Sequence, residues 1–143
     1  MIRLFSTEEE SRIIEAIRDA EQQTSGEVRL HVEKDCRGDV LKEAVQTFQK
    51  LGMHRTAQRN GVLIFMAPER REFAIIGDEG IDAVVGSGFW DAERDLMLQH
   101  FRNGEMCAGV CAAIAGVGEK LKAHFPFAQD DTNELSDDIS YGE

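Results

Sequence analysis

Five side chains of the kind that bind hard cations stand near the ends of two apolar segments. They are Asn60, Asp78, Glu79, Asp91 and Asp95. Asn60 directly precedes the most apolar run of the chain, and Asp78 and Glu79 follow the next apolar run. Ca²⁺ takes about six to eight oxygen ligands from carboxylates, amides and backbone carbonyls. The residue types therefore predict a divalent cation site, with Ca²⁺ as the candidate ion, although no EF-hand loop is present.

The spacing of the two apolar runs predicts where these side chains meet. The run Gly61–Ala67 is bounded by Asn-Gly and Pro, which is typical of a strand buried on both faces. Only Pro68–Arg71 separates it from the next strand, Glu72–Ile76, so the two strands are expected to be antiparallel. Asn60 and Asp78 then lie at the same end of a sheet, where ligand crevices form in open α/β folds.

Asp91 and Asp95 are expected to reach the same end from the start of the next helix, one turn apart on one face. Each candidate also has a plain structural explanation. Asp91 fits a helix N-cap, Asn60 fits a turn, and Asp78 fits a loop acid in water. The sequence leaves these alternatives open.

A metal-dependent acid phosphatase is a second interpretation of the same residues. Asp78 and Asp91 would hold the metal, and a bound water would be the nucleophile. A basic cradle for phosphate is not evident, because Arg70 and Arg71 lie in the turn at the other end and the next basic residue is Arg94. No P-loop, GxSxG or HExxH motif occurs. The non-enzymatic interpretation is therefore preferred.

A protein-interaction or assembly module is the third interpretation. Phe89 and Trp90 could form a partner-binding spot beside the Gly77–Gly80 loop, or they could pack a helix onto the sheet. Glu27 is similarly ambiguous. It opens the alternating strand Glu27–Glu33, where a solvated edge position and a polar contact to a loop are both open.

Helices and strands alternate around the two apolar strands. The predicted elements are helices over about 7–23, 40–51, 91–102 and 106–124, a strand at 27–33 and a helical turn at 81–85. This order predicts a three-layer α/β/α sandwich with helices on both faces of a small mixed sheet. Three strands are clear from the pattern, and a fourth is not placed.

Composition excludes several classes of protein. The net charge of −11 argues against nonspecific binding to nucleic acid or to anionic membrane. No apolar run approaches the roughly 20 residues that span a bilayer, and the N-terminus lacks the apolar core of a signal peptide. With three cysteines and no CxxC pair, we expect a cytoplasmic protein. Residues 1–127 are predicted to form the domain, and 128–143, with six acids and no Lys or Arg, an acidic disordered tail.

Several short motifs, in this order and spacing, resemble the TPM domain family over about residues 5–127. They are Ser25-Gly26-Glu27, Asn60-Gly61-Val62-Leu63-Ile64, the Gly77 loop, Phe89-Trp90-Asp91 and the closing Phe101…Gly104…Gly109 element. The chain is most similar to the short, stand-alone bacterial members. Many other members carry a signal peptide and a membrane anchor, and neither is expected here.

The resemblance implies an α/β/α fold with a mostly parallel four-stranded sheet. It also implies several unrelated roles. Some members bind calcium, a plant member is implicated in photosystem II repair and credited with acid phosphatase activity, and an animal member assists a receptor. The resemblance therefore narrows the fold much more than the activity.

Overall fold

The computed structural model describes residues 4–127 and 139–142. These residues form five α-helices and four strands, with two 3₁₀ turns at Met53–Arg55 and Pro68–Arg70. The elements are α1 (Thr7–Glu21), β1 (Glu27–Glu33), α2 (Val40–Lys50), β2 (Gly61–Ala67), β3 (Glu72–Gly77), α3 (Glu79–Val85), α4 (Ser87–Arg102), α5 (Met106–His124) and β4 (Ser140–Gly142). None of the helices in these residues is long and apolar enough to cross a membrane.

The strands form one mixed sheet in the order β3-β2-β1-β4. β1 is parallel to both β2 and β4, and β2 is antiparallel to β3. The predicted α/β/α sandwich with a mostly parallel sheet of about four strands is therefore confirmed. The predicted antiparallel pairing across the Pro68–Arg71 turn is confirmed as well.

The fourth strand comes from the segment predicted to be a disordered tail. Ser140–Gly142 pair in parallel with β1, so that prediction is wrong for these residues, while 128–138 lie outside the described residues. The pairing is reinforced by side chains. His31 Nδ1 lies 2.7 Å from Ser140 Oγ, and the Tyr141 hydroxyl donates to Glu10. β1 is consequently a central strand and not an edge strand.

The sheet separates two hydrophobic cores. One face packs against α1, α3, α4 and α5, and its buried side chains include Val28, Leu30, Val62 and Ile64. The other face packs against α2 and buries Leu63 and Phe65. Every residue of β2 is buried, as its unbroken apolar run predicts. β2 therefore forms the centre of the molecule, and its first residue fixes the position of the candidate site.

Helix boundaries follow local chemistry. The predicted capping box is present, because Glu9 N–H donates to Ser6 Oγ and Ser6 N–H donates to Glu9 Oε1. α4 begins at Ser87, about one turn earlier than predicted, because Gly86 alone (φ 75°) separates it from α3. Trp90 is thus already inside a helix. Its ring packs where a Cβ on Gly77 would stand, at 2.5 Å from Trp90 Cζ2.

Glu93 is a poorly accommodated acid between α4 and α5. Its carboxylate lies over Gly116, and Oε2 is buried with no hydrogen-bond partner among the described residues. Burial raises the pKa of Glu93 above its usual 4.5. The ionised form therefore lowers the stability of the folded chain at neutral pH.

Glu93→Gln is expected to stabilise the protein by about 1 kcal/mol at neutral pH, a figure reduced from the full burial penalty because Glu93 is only half-buried. A raised folded-state pKa gives stability at low pH that is lost as the pH rises from 4.5 through the folded value. The gain from Gln should therefore shrink toward zero below about pH 4. Denaturant unfolding of both proteins across pH measures it. A gain that is equal at all pH values would contradict this assignment.

Candidate cation site

The start of β2 and the end of β3 bring two loops together at one end of the sheet. Asp78 N–H donates to Gly61 O at 2.9 Å, and Gly80 N–H donates to Arg59 O at 2.8 Å. A Cβ on Gly80 would stand only 2.1 Å from Gln58 O. This contact admits only glycine, and it fixes the loop before β2 against the loop after β3. We call the group formed by Arg59, Asn60, Asp78 and Glu79 the Asp78 corner.

Arg59 is the central cation of the Asp78 corner. Its guanidinium reaches Asp78 through two bonds, Nε to Oδ2 at 2.7 Å and Nη2 to Oδ1 at 2.9 Å. Its third nitrogen, Nη1, lies 3.2 Å from Glu79 Oε1. These contacts, the Asp78 hydrogen bond first, raise the pKa of Arg59, so it remains charged. A single guanidinium therefore bridges both carboxylates.

The backbone of Arg59 is held in an unusual conformation for this purpose. Its φ is 51°, in the left-handed region that side chains other than glycine rarely adopt. Such a conformation costs about 1 kcal/mol or more and persists where the surroundings fix it. Here the Gly80 contact and the Asp78 ion pair provide that fixation.

Asp78 has a structural role besides its contact with Arg59. It is the N-cap of α3, and its Oδ1 accepts the Glu79 N–H at 2.8 Å. Its side chain is 7% exposed, whereas that of Glu79 is 72% exposed. The corner thus has one buried carboxylate and one that is exposed to solvent, both bound to Arg59.

Asn60 supplies a buried polar group beside these acids. Its Nδ2 donates to Ser25 Oγ at 3.4 Å, and its N–H donates to Thr56 Oγ1 at 3.2 Å. Its Oδ1 is buried and has no hydrogen-bond partner among the residues that the structure describes. Glu27, for which the sequence left open a solvated edge position or a polar contact to a loop, also lies at this end of the sheet. It is 2% exposed, and its N–H donates to Asn60 O.

Asp91 and Asp95 stand apart from this arrangement. Both lie on the surface of α4 around Arg94, at 3.8 Å and 4.0 Å from its guanidinium nitrogens. Within residues 4–127 and 139–142, no three Asp, Glu, His or Cys side chains lie close enough to hold a metal ion. The structure therefore brings Asn60, Asp78 and Glu79 to one end without joining the α4 acids to them. Metal binding by any of the five stays a prediction.

A groove of about 350 Å³ opens beside the corner, between α2 and the outer edge of β3. Arg59, His54, Asp78 and Asp82 contribute its polar lining, and Val45, Ile76 and Trp90 its apolar lining. Trp90 Nε1 donates to Asp82 Oδ1 at 2.8 Å, which fixes the indole at one side of the groove. Trp90 also packs against the core that contains Val62 and Ile64, which agrees with the interpretation that it packs a helix onto the sheet.

Arg59 and the groove are the features that sequence reasoning missed. The segment before Asn60 has the polar and basic composition of a surface connection, and Arg59 is its last residue. The signal that could have identified Arg59 was its position directly before Asn60, a residue already predicted to lie at the site. The expectation that Arg94 is the next basic residue near these ligands, after Arg70 and Arg71, is therefore wrong. An arginine contacts the proposed ligands directly.

Comparison with known proteins agrees with this architecture. The family model of the TPM domain matches residues 2–120, so the chain belongs to the TPM domain family. Among solved structures, it is similar over its whole length to the BA42 protein from the psychrophilic bacterium Bizionia argentinensis. The two share 42% identity with a TM-score of 0.93, over 99% of this chain and 98% of that one.

Two more distant structures share the fold. The N-terminal domain of the cg2496 protein from Corynebacterium glutamicum is 20% identical with a TM-score of 0.63, over 82% of this chain and 74% of that one. The N-terminal domain of a P. gingivalis protein is 18% identical with a TM-score of 0.70, over 85% and 79%. No functionally curated protein matches the chain.

Proposed function

We propose that this TPM domain is a non-enzymatic binding domain that takes up a divalent cation, Ca²⁺, at the Asp78 corner. The ligands are the side chains of Asn60, Asp78 and Glu79, and the ion takes the place of the Arg59 guanidinium. The observation that carries this proposal is the contact of one guanidinium with both carboxylates. The two acids already share one positive charge, and a divalent ion offers them a second.

The chemistry of the corner favours such an exchange. Two neighbouring carboxylates repel each other unless a cation lies between them. The buried Asn60 Oδ1, without a partner in the described residues, is a further hard oxygen donor. Because Ca²⁺ needs about six to eight oxygens, backbone carbonyls and water complete the shell. A site with two carboxylates and a competing arginine is expected to bind weakly, with Kd of about 10⁻⁴ to 10⁻³ M.

Thermal unfolding tests this proposal by mass action. An ion that binds only the folded state stabilises it by about 2.7 kcal/mol at a hundredfold excess over Kd. The melting temperature of the wild type should therefore rise with Ca²⁺, and that of Asp78→Asn should not. The double variant Asp91→Asn/Asp95→Asn should respond like the wild type, because its acids lie around Arg94. A wild type that is unaffected by about 100 mM Ca²⁺, a hundredfold excess over the weakest expected Kd, would sink the proposal.

A metal-dependent phosphatase is the second candidate function, and one observation favours it. Arg59 and His54 line the groove beside the corner, so a basic group for a phosphate ester lies next to the proposed metal ligands. We propose that, in this case, the metal would activate a water molecule for attack on phosphorus. The corner would then serve both binding and hydrolysis.

Assay with p-nitrophenyl phosphate separates the two functions. If the groove hydrolyses phosphate esters, Asp78→Ala should lower the metal-dependent rate by about a hundredfold or more, since it removes the buried ligand. Glu72→Ala, at the other end of β3, is the matched control. Activity that survives in Asp78→Ala would exclude catalysis at this corner. Absence of metal-dependent activity in the wild type would leave only the binding function.

The cytoplasm is the compartment we propose for this domain. Its three cysteines, Cys36, Cys107 and Cys111, are all free thiols. Burial, and then the neighbouring Cys107 thiol, raise the pKa of Cys111 to about 11. This thiol is therefore unreactive at neutral pH. Free thiols of this kind are typical of a reducing environment.

A further inference from the structure

The groove between α2 and the outer edge of β3 has the size of a small-molecule site. Its volume of about 350 Å³ falls within the range of roughly 300–1,000 Å³ that is usual for ligand pockets. Val45, Phe48 and Ile76 give it an apolar lining, and Val45 is 46% exposed. Apolar walls bind the hydrocarbon part of a ligand, so the polar and aromatic groups of the groove determine which ligand fits.

Trp90 forms an aromatic wall of the groove, with a carboxylate held beside it. Its Nε1–H donates to Asp82 Oδ1 at 2.8 Å, which fixes the ring relative to the acid. The face of an aromatic ring attracts a cation within about 6 Å of its centre, and Trp is the best of the aromatic residues for this contact. A carboxylate at the edge of the ring adds a direct charge attraction. This pair of side chains therefore suits an organic cation.

The balance of charge in the groove also favours a cation. His54 aside, the charged side chains that line it are Arg59, Asp78 and Asp82. Both Asp78 oxygens accept from the Arg59 guanidinium, and Glu79 lies 3.2 Å from the same group. The charge of Arg59 is therefore already matched, whereas Asp82 contacts the neutral indole. A negative charge thus remains at the aromatic wall.

We propose that the groove binds a small organic cation that carries a methylated ammonium group. The head group lies between the Trp90 ring and Asp82, and the rest of the ligand packs against Val45 and Ile76. Methyl groups shield the charge and reduce the cost of leaving water, whereas a primary ammonium is strongly hydrated. They also supply apolar surface that packs against the ring. Neither Trp90 nor Asp82 is a proposed calcium ligand, so this binding goes beyond the calcium proposal and does not depend on it.

A titration of the full chain with choline at neutral pH, in the presence of a chelator, tests this binding. Choline carries a trimethylammonium group, and its uncharged isostere, neohexyl alcohol, has a tert-butyl group in the same place. Trp90 is the only tryptophan of the chain, so its fluorescence and its indole N–H resonance report on the groove. Choline should give a saturable change with a Kd of about 1 mM, and the alcohol should bind at least about tenfold more weakly. No saturable change with choline, or equal affinities for the two compounds, would overturn the proposal.

Two variants with the same loss of charge separate the groove from the rest of the surface. Asp82→Asn keeps an oxygen that accepts the indole N–H but removes the charge, so it should weaken choline binding by about tenfold. Asp95→Asn removes an exposed acid beside Arg94 and should leave the choline affinity within about twofold. Choline binding by Asp82→Asn that equals that of the wild type, or an equal loss in both variants, would show that Asp82 does not recognise the cation and would overturn the assignment.

Discussion

Replacing Arg59 with Gln is expected to tighten calcium binding by about tenfold, because it removes the cation that competes for the same carboxylates. Arg59 contacts Asp78 at 2.7 Å and Glu79 at 3.2 Å, so Ca²⁺ must displace it before both acids can bind the ion. The Gln side chain is close in length and carries no charge. Isothermal titration of the wild type and the variant measures the two affinities.

Two control variants make this result specific. Arg55→Gln removes an exposed arginine from the same segment and should leave the affinity within about twofold, because exposed charges are well screened. Arg59→Gln/Asp78→Asn should bind no calcium, because the buried ligand is gone. A variant Arg59→Gln that binds calcium more weakly than the wild type would show that Arg59 supports the site and does not compete with the ion.

Gly80→Ala is expected to lower the free energy of unfolding by about 3 kcal/mol, with a fall in melting temperature of about 10 °C. The added Cβ would stand 2.1 Å from Gln58 O and 2.6 Å from Arg59 O. Both atoms belong to the backbone of the loop before β2, so relief requires that loop to move. The move would also separate Arg59 from Asp78.

Gly88→Ala is the matched control for this prediction. Gly88 is also helical, and a Cβ there would meet nothing within 4 Å. Alanine has the higher helix propensity, so this variant should gain about 1 kcal/mol. Denaturant unfolding of both variants gives the comparison. Equal stabilities for Gly80→Ala and the wild type would falsify the close approach of the two loops.

The central hairpin could be predicted because its signals are local. An unbroken apolar run bounded by Asn60 and Pro68, followed by a four-residue turn, leaves little freedom in how β2 and β3 pair. The position of Asn60 and Asp78 at one end follows directly from that pairing. Helix α5 was predictable for a similar reason, because Cys107, Val110, Ile114, Val117 and Leu121 recur at helical spacing among small residues.

The fourth strand could not be predicted because its signals are not local. Ser140–Gly142 form only three residues of strand within an acidic segment, and their composition favours disorder. Their position depends on contacts with His31 and Glu10, which are more than 100 residues away along the chain. The central position of β1 follows from this strand, which pairs with His31–Glu33, and from β2, whose Gly61 lies opposite Glu27.

Arg59 was missed because its role depends on backbone conformation. The left-handed backbone at Arg59 departs from regular structure, and its side chain contacts Asp78 while staying partly exposed. Sequence periodicity assumes regular backbone and cannot detect such a departure. Asp91 and Asp95 were expected near the site because they were placed in the first turn of the helix. α4 in fact begins earlier, at Ser87, and both side chains lie around Arg94 on its surface.

The most direct test of cation exchange at the Asp78 corner is a calcium titration of the wild type, followed through backbone amide shifts by NMR. We predict saturable shifts confined to 58–61 and 77–80, together with a change in the Arg59 Nε–H resonance as its bond to Asp78 breaks. Absence of shifts at these amides at millimolar Ca²⁺, or an Arg59 resonance that does not change while calcium binds, would contradict the account.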